Sequence, residues 1–322
     1  MADISLAPSD DGSPEGAAVI VARGVRKHYG AIHAVDGVDL DVRAGELFGL
    51  IGHNGAGKST MFKMMLGLIP VTVGEIRIDG AMVAGHGGAN GDFRAVRRKI
   101  GYLPENVVLY DNLTGLETLQ FFAKLKGVSS ANNLELLERV GLTHAARRRV
   151  REYSKGMRQR LGFAQALLGK PRILFLDEPT TGLDPEAIRG FYSILRQLKG
   201  DGVTMVITSH ILAEIQERVD RLAIMAAGKV QACGTVQALR EQMDLPLWFS
   251  VRVAPEDFEA VRAALGHLPV GAIEARDDHI AVQCRRETKM EVIAALATLD
   301  GKVRDLGVHE PSLEDVFFGI SD

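Results

Sequence analysis

Residues 52–60 contain the phosphate-loop pattern G-x-x-x-x-G-K-[ST], which needs a glycine-rich turn between a strand and a helix. The loop and its last threonine comprise Gly52, His53, Asn54, Gly55, Ala56, Gly57, Lys58, Ser59 and Thr60. The glycines let backbone N–H groups face phosphate oxygens, and the helix N-terminus adds partial positive charge. Lys58 is expected to reach the β- and γ-phosphates, and Ser59 to offer its hydroxyl to Mg²⁺. The pattern therefore predicts a nucleotide and Mg²⁺ site.

Two consecutive carboxylates, Asp177 and Glu178, follow the apolar segment RILFL. In isolation they would read as an ordinary acidic strand end. Because the carboxyl ends of parallel strands lie at one edge of a sheet, a phosphate loop in the same chain changes that interpretation. Asp177 is then expected to hold the metal, and Glu178 to polarise the attacking water as a general base.

The segments around these residues predict an α/β fold. AAVIVARGVRKHYG and GVDLDV are typical of antiparallel strands, and ELFGLIG predicts the strand before the phosphate loop. Residues 93–168 show helical stretches with little strand signal, which favours an all-helical insert. After them RILFLDEP, GVTMVITSH and RLAIMAAGKV alternate with helical segments, so the main sheet is expected to be mostly parallel and covered on both faces.

The two ends of the chain differ from its middle. Residues 1–17 are rich in Asp, Ser, Pro and Gly and predict a disordered leader before a domain at 18–240. Residues 241–322 hold sixteen acidic and eight basic residues and follow a βαββαβ pattern, the ferredoxin-like order. They predict a separate C-terminal domain for regulation or dimer contacts. Because no spaced Cys/His set is present there, Cys284, His279 and His309 are expected to be packing or surface residues.

The composition of the 322-residue chain, with 38 Lys+Arg, 41 Asp+Glu and two cysteines, favours an ordinary globular protein. No uninterrupted apolar run approaches the roughly 18 residues of a membrane helix, and the first residues are acidic, unlike a secretory signal. A cytoplasmic location is expected, and any membrane role requires a partner chain.

A basic cluster precedes and enters the segment YSKGMRQR. It contains Arg147, Arg148, Arg149, Arg151, Lys155, Arg158 and Arg160. Basic clusters can bind nucleic acid, but this one lacks the interleaved aromatic residues of a stacking platform. A solvated or nucleotide-facing surface is the favoured interpretation, and no nucleic-acid partner is expected.

The segment from Tyr153 to Arg160 resembles the signature motif of ATP-binding-cassette ATPases, although Tyr153, Lys155 and Met157 depart from the usual LSGGQ. This resemblance implies a P-loop NTPase cassette with an antiparallel β subdomain and an α-helical subdomain at about 93–168. It also implies a homodimer with ATP and Mg²⁺ held between the chains, in which Ser154 and Gly156 cap the γ-phosphate bound by the other subunit.

The same resemblance assigns further residues. Tyr29 matches the aromatic residue that stacks on adenine, Asp184 lies in a segment similar to the D-loop, and His210 matches the switch histidine that contacts the γ-phosphate. Alone, Tyr29 and His210 would each be ordinary strand or strand-end residues. Glu105 stands where such families commonly carry Gln, and a carboxylate there can meet Mg²⁺ or water but cannot donate as an amide does.

Other nucleotide-binding classes fit less well. A GTPase is disfavoured because the chain has no guanine-reading N-K-x-D segment. A small-molecule kinase would not need the signature motif. Cassette proteins that act on DNA or ribosomes usually carry two cassettes or a long coiled-coil insert, whereas this chain has one cassette and a compact insert.

Three segments are similar to NosF-type ATPases, which serve the transporter for nitrous oxide reductase maturation: GYLPENVVLYDNLTGLETLQFFAKLKG, YSKGMRQRLGFAQALLGKPR and HEPSLEDVF. Drug- or polysaccharide-exporting ATPases share these features and are the alternative. Either implies a membrane permease that holds the chain at the inner face of the membrane, and the first also implies a periplasmic accessory protein.

Overall fold

The computed structural model describes residues 17–85, 93–242, 247–276, 279–299 and 301–309. Nearly all of the predicted leader, the Asp277–Asp278 turn of the predicted hairpin and all of HEPSLEDVF after its first residue lie outside the described residues. The chain divides between residues 236 and 237 into two units.

The first unit combines strands and helices throughout its length. Its strands are β1 (Ala18–Tyr29), β2 (Ile32–Arg43), β3 (Leu47–Ile51), β4 (Val73–Ile78), β5 (Ala81–Ala84), β6 (Ile100–Leu103), β7 (Ile173–Leu176), β8 (Thr204–Ser209), β9 (Arg221–Ala226) and β10 (Lys229–Gly234). Its helices are α1 (Lys58–Met65), α2 (Phe93–Arg98), α3 (Gly115–Lys126), α4 (Asn133–Arg139), α5 (Lys155–Ala166), α6 (Pro185–Gly200) and α7 (Leu212–Ile215), and α8 (Val236–Gln242) begins at the division. Within the described part of the chain, no helix has the length and apolar character needed to cross a membrane.

Two sheets organise the first unit. A four-stranded antiparallel sheet has the order β2-β1-β4-β5. A six-stranded sheet has the order β10-β9-β3-β8-β7-β6, and its strands are parallel except for β10, which is antiparallel to β9. The strand patterns predict the mostly parallel sheet, and the family resemblance implies the separate antiparallel one.

Strand β3 lies inside the parallel sheet, between β8 and β9. All five of its residues are buried, which is why LFGLI is apolar without alternation. The strand ends at Ile51 and is followed by Gly52, where a Cβ atom would lie 2.4 Å from the carbonyl oxygen of Met225. Only glycine fits at this position, so the phosphate loop leaves the sheet close to the neighbouring strand β9.

The predicted all-helical segment contains one strand. Helix α3 begins with a capping box in which the Thr114 hydroxyl accepts from the Glu117 N–H and the Glu117 carboxylate accepts from the Thr114 N–H. Residues 100–103, however, form β6 and pair in parallel with β7. The prediction was wrong for these four residues because a strand this short shows no period of its own and is defined by its pairing partner.

The second unit forms a four-stranded antiparallel sheet with helices. Its elements are β11 (Leu247–Arg252), α9 (Phe258–Leu265), β12 (Val270–Ala275), β13 (Ile280–Cys284), α10 (Lys289–Ala297) and β14 (Asp305–His309). The sheet order is β12-β13-β11-β14, and side chains including Phe249, Val261 and Leu296 form its core. Strand, helix, strand, strand, helix and strand follow in the predicted order, and the ferredoxin-like classification of this unit stays a prediction.

Candidate functional site

The phosphate loop between β3 and α1 curls around a buried lysine. Gly55 and Gly57 have φ angles of +86° and +103°, in the region that glycine adopts without steric cost. Lys58 has an exposed fraction of 6 %, and its Nζ donates to the backbone oxygens of Gly52 at 2.5 Å and of His53 at 3.2 Å. The loop therefore fixes one ammonium group at the centre of the site.

The predicted acidic pair lies at the carboxyl end of β7, and the adjacent strand β8 orients it. The Thr208 hydroxyl donates to Oδ1 of Asp177 at 2.7 Å and accepts from the backbone N–H of Glu178 at 2.8 Å. Asp177 and Glu178 are both buried, and one hydroxyl group thus orients both.

Glu178 occupies an unusual backbone conformation. Its φ of +46° is uncommon for a residue with a side chain and costs about 1–3 kcal/mol, so the surroundings must hold it there. One carboxylate oxygen lies 3.6 Å from Nζ of Lys58, and the other lies 2.7 Å from Nδ1 of His210. The strained backbone places this carboxylate between the phosphate-loop lysine and the predicted switch histidine.

The negative charge at this site exceeds what its lysine offsets. Burial raises the pKa of Asp177, and the carboxylates of Glu105 and Glu178 raise it further, whereas the hydrogen bond from Thr208 and the charge of Lys58 lower it. The net direction is upward. An additional cation at the site would favour the ionised form of Asp177.

A cleft of about 550 Å³ lies against Lys58, Glu178 and His210, whereas Asp177 is not among its lining residues. It is lined by Ile32, His33, Ala34, residues 53–60 of the phosphate loop, Glu105, Glu178, Thr181, His210, Ala227 and Gly228. The sequence-predicted loop, Glu105, Glu178 and His210 therefore share one cavity of the size that small-molecule sites have.

Four of the predicted binding residues stand elsewhere. Tyr29 ends β1 with half of its side chain exposed, and Ser154 and Asp184 cap the N-termini of α5 and α6 through their side chains. Gly156 lies in the first turn of α5. Among the described residues that line the cleft, none of these four is found. The chain thus divides its predicted nucleotide contacts between the cleft and other surfaces.

The residues present fit a nucleotide with a divalent metal ion. The charges of Glu105 and Glu178 both act on Asp177, Lys58 supplies a nearby ammonium group, and oxygen ligands are the kind that Mg²⁺ prefers. Ser59 also lines the cleft and can offer its hydroxyl oxygen. The donor set therefore suits Mg²⁺ at the phosphate end of the cleft.

Sequence reasoning missed Thr208 and Gln159. Thr208 looks like an ordinary strand residue because threonine is common in strands. The Gln159 side chain donates from Nε2 to the carbonyl oxygen of Pro179 at 3.1 Å, which joins α5 to the segment after the acidic pair. In the sequence, Thr208 could have been noticed only because it lies two residues before His210. Gln159 could have been noticed only because it lies in the signature segment.

Replacing Thr208 with valine keeps the volume of the side chain and removes the hydroxyl that donates to the Asp177 carboxylate and accepts from the Glu178 backbone N–H. We expect ATP turnover to fall about tenfold, equivalent to about 1.4 kcal/mol of transition-state stabilisation, with little change in nucleotide affinity. Steady-state ATPase assays and nucleotide titration measure the two effects. Thr204→Val is the matched control, because Thr204 lies on the same strand and its hydroxyl accepts from Gly45 instead. Equal losses in the two variants would show that Thr208 has only a packing role.

Known proteins carry the same cassette. A family model described as ABC transporter matches residues 35–181. The linearmycin resistance ATP-binding protein LnrL of Bacillus subtilis is 30% identical over 94% of this chain and 98% of its own length. The daunorubicin resistance ATP-binding protein DrrA3 of Streptomyces coeruleorubidus is 33% identical over 94% of this chain and 95% of its own.

A solved structure agrees with these sequence matches. The ATP-binding cassette MJ0796, described as a dimeric post-hydrolysis state bound to ADP and Pi, matches with a TM-score of 0.61 and 28% identity over 67% of this chain and 98% of that one. The fold, the phosphate loop and the near full-length relatives define an ABC ATPase cassette. The chain belongs to the ABC transporter family as an ATP-binding subunit, and the relatives described here are named for resistance to antibiotics or drugs.

Proposed function

We propose that this chain binds ATP with Mg²⁺ and hydrolyses it to drive the export of a toxic organic compound through a membrane permease. The observation that carries the hydrolytic part is the placement of Glu178 between Lys58 and His210 at the edge of the cleft. The export part rests on relatives that match this chain nearly end to end and are named for drug or antibiotic resistance.

In the proposed reaction, water attacks the γ-phosphorus of ATP, the bond to the β–γ bridging oxygen breaks, and ADP and phosphate leave. Lys58 binds the phosphate oxygens, and Glu178 accepts the proton of the attacking water as a general base. His210 holds the Glu178 carboxylate through their 2.7 Å contact. Ser59 and Asp177, with Glu105 nearby, would hold Mg²⁺, which when bound neutralises phosphate charge.

We infer that two copies enclose the nucleotide. Ser154, Gly156 and Asp184 do not line the described cleft of their own chain, although family resemblance assigns them to ATP. The family assignment is met if these residues contribute to the cleft of a second copy. The N-terminus of helix α5 at Ser154 supports this, because its partial positive charge favours an anionic phosphate. The similar cassette bound to ADP and Pi is dimeric. Within the complex, the chain would lie on the cytoplasmic face of the membrane against its permease.

A second candidate function is support of copper-site maturation in nitrous oxide reductase, with a periplasmic accessory protein as a further partner. It is favoured by the similarity of residues 101–127 and 153–172 to NosF-type ATPases. The relatives described above are instead named for resistance, which is why export is preferred.

Deletion of the gene in its host separates the two candidates. For export, we expect greater sensitivity to antibiotics such as daunorubicin, restored by the wild-type chain and not by Glu178→Gln. Loss of nitrous oxide reduction with unchanged antibiotic sensitivity would instead favour the second candidate. If neither phenotype changed across a broad panel of compounds, both transport assignments would be wrong while ATP hydrolysis by the purified chain could still be measured.

Glu105 is proposed to report the state of the nucleotide to the permease more than to perform chemistry. Burial, followed by the charges of Asp177 and Glu105, raises the pKa of Tyr102 to about 12. Glu105 therefore lies in the same region as Asp177, the carboxylate proposed to hold the metal. Its own side chain is exposed. We expect Glu105→Gln to change the ATPase rate of the isolated chain less than about threefold, equivalent to about 0.65 kcal/mol in the barrier, because the amide keeps the size of an exposed side chain. A loss as large as that of Glu178→Gln would assign Glu105 to the catalytic or metal machinery.

We infer that residues 241–322 form a ferredoxin-like domain for regulation or dimer contacts. Their core is separate, and its described residues include neither a phosphate loop nor paired buried carboxylates. A chain ending at Arg240 is expected to stay folded and to bind ATP with an affinity within about threefold of the full chain, because every cleft residue precedes that point. Nucleotide titration and light scattering of the truncated protein test this. Loss of ATP binding would show that the cassette requires the C-terminal residues.

A further inference from the structure

The β1–β2 hairpin carries two histidines and an aspartate that no step of the proposed ATPase reaction uses, although one of them, His33, also lines the cleft. His28 and His33 are directly opposite each other on the paired strands, and their rings stack with centroids 4.0 Å apart and planes 24° from parallel. Asp36 follows on β2. The candidate ligand atoms of all three side chains lie within 4.8 Å of one another. This arrangement brings two nitrogen donors and one oxygen donor close together.

One nitrogen atom of the cluster has no hydrogen-bond partner within the described residues. Nε2 of His28 is buried there without a hydrogen-bond partner. A buried polar atom without a partner is unfavourable because it has lost its hydrogen bonds to water. A neutral imidazole nitrogen is also the commonest protein ligand for a transition metal. A metal ion that binds His28 through Nε2 would satisfy the atom that is left unpaired.

We propose that His28, His33 and Asp36 bind a transition-metal ion of the Zn²⁺ class. Two imidazoles with one carboxylate are a zinc ligand set that leaves one position for water. Ligand bonds of about 2.0–2.2 Å lie in the plane of an imidazole ring, so they require side-chain rotations that take the stacked rings apart. His33 is exposed and can make them. Since Mg²⁺ prefers an all-oxygen set, the site is chemically distinct from the phosphate-loop cation position.

The neighbouring cations do not block this site. Nε of Arg26 lies 3.5 Å from one Asp36 oxygen, and Nζ of Lys229 lies 3.6 Å from the other. Their side chains are 51 % and 60 % exposed, and ion pairs at such positions contribute little because water and salt screen them. A divalent ion that also gains two imidazole ligands can displace them from Asp36.

Metal titration of the full chain tests the proposal. With millimolar Mg²⁺ present to fill oxygen-only positions, Zn²⁺ should bind once per chain by calorimetry, and Co²⁺ should give the visible absorption of a low-symmetry nitrogen-containing site. His28→Gln and His33→Gln should each weaken Zn²⁺ binding at least about tenfold, since loss of even an outer partner of a metal ligand costs 10–100-fold. His144→Gln, at an exposed histidine outside the hairpin, should not.

Two further results make the test decisive. Lys58→Ala should bind Zn²⁺ as the wild type does, so failure of the nucleotide site is distinguishable from failure of the metal site. Circular dichroism and thermal unfolding should show that the histidine variants remain folded. Equal Zn²⁺ affinity in the wild type and His28→Gln, or an equal loss in His144→Gln, would overturn the proposal.

Discussion

Glu178→Gln is expected to lower ATP turnover by about 10²–10⁴-fold while nucleotide binding persists. Glutamine keeps the size of the side chain and cannot accept the proton of the attacking water, and this range is typical for loss of a general base. The amide also replaces the charged group that lies 3.6 Å from Lys58 and 2.7 Å from His210. Single-turnover hydrolysis measured beside ATP titration separates the chemical step from binding. The ATP-bound variant should accumulate as a dimer, which light scattering detects.

The matched control is Glu217→Gln, an exposed glutamate outside the described cleft. It should keep normal turnover. A Glu178→Gln protein that hydrolyses ATP at the wild-type rate would remove Glu178 from the general-base role. A variant that binds ATP but stays monomeric at saturation would contradict the two-chain enclosure and leave the catalytic assignment intact.

Lys58→Ala is expected to reduce ATP affinity by about 100-fold or more and to abolish measurable turnover. Hydrogen bonds to charged groups contribute about 1.5–3 kcal/mol, and 1.4 kcal/mol corresponds to a factor of ten. The substitution also leaves the buried carboxylate of Glu178 without its nearby ammonium group, which adds repulsion toward phosphate. Titration with a fluorescent ATP analogue and a phosphate-release assay measure both losses.

Lys63→Ala provides the control for this experiment, because Lys63 lies on the same helix α1 but is exposed. It should bind and hydrolyse ATP normally. Thermal unfolding shows whether Lys58→Ala is folded, and Lys58→Met, which keeps most of the buried volume, gives a second folded variant. Undiminished binding in both Lys58 variants would refute the assignment of the phosphate loop.

The phosphate loop was predictable because its chemistry is contained in consecutive residues. The spacing of Gly52, Gly57 and Lys58 is enough to indicate a strand, a turn and a helix with backbone N–H groups facing one point. Long strands with clear patterns, such as β8, were predictable for a similar reason. Strand β6 was not, because four residues carry no period and its pairing with β7 joins segments about seventy residues apart.

The sequence by itself determined the class of chemistry, a phosphate-binding lysine with two candidate carboxylates, and a second region with opposite charge balance. Only the tertiary structure decided how these groups act on one another. Thr208 orients Asp177 and Glu178 because β8 lies next to β7, and a positive φ angle turns Glu178 toward His210. The stacked histidines of the β1–β2 hairpin likewise depend on strand register. Hydrogen bonds and charges act over a few ångströms, and the distances between residues remote in sequence are set only when the chain folds.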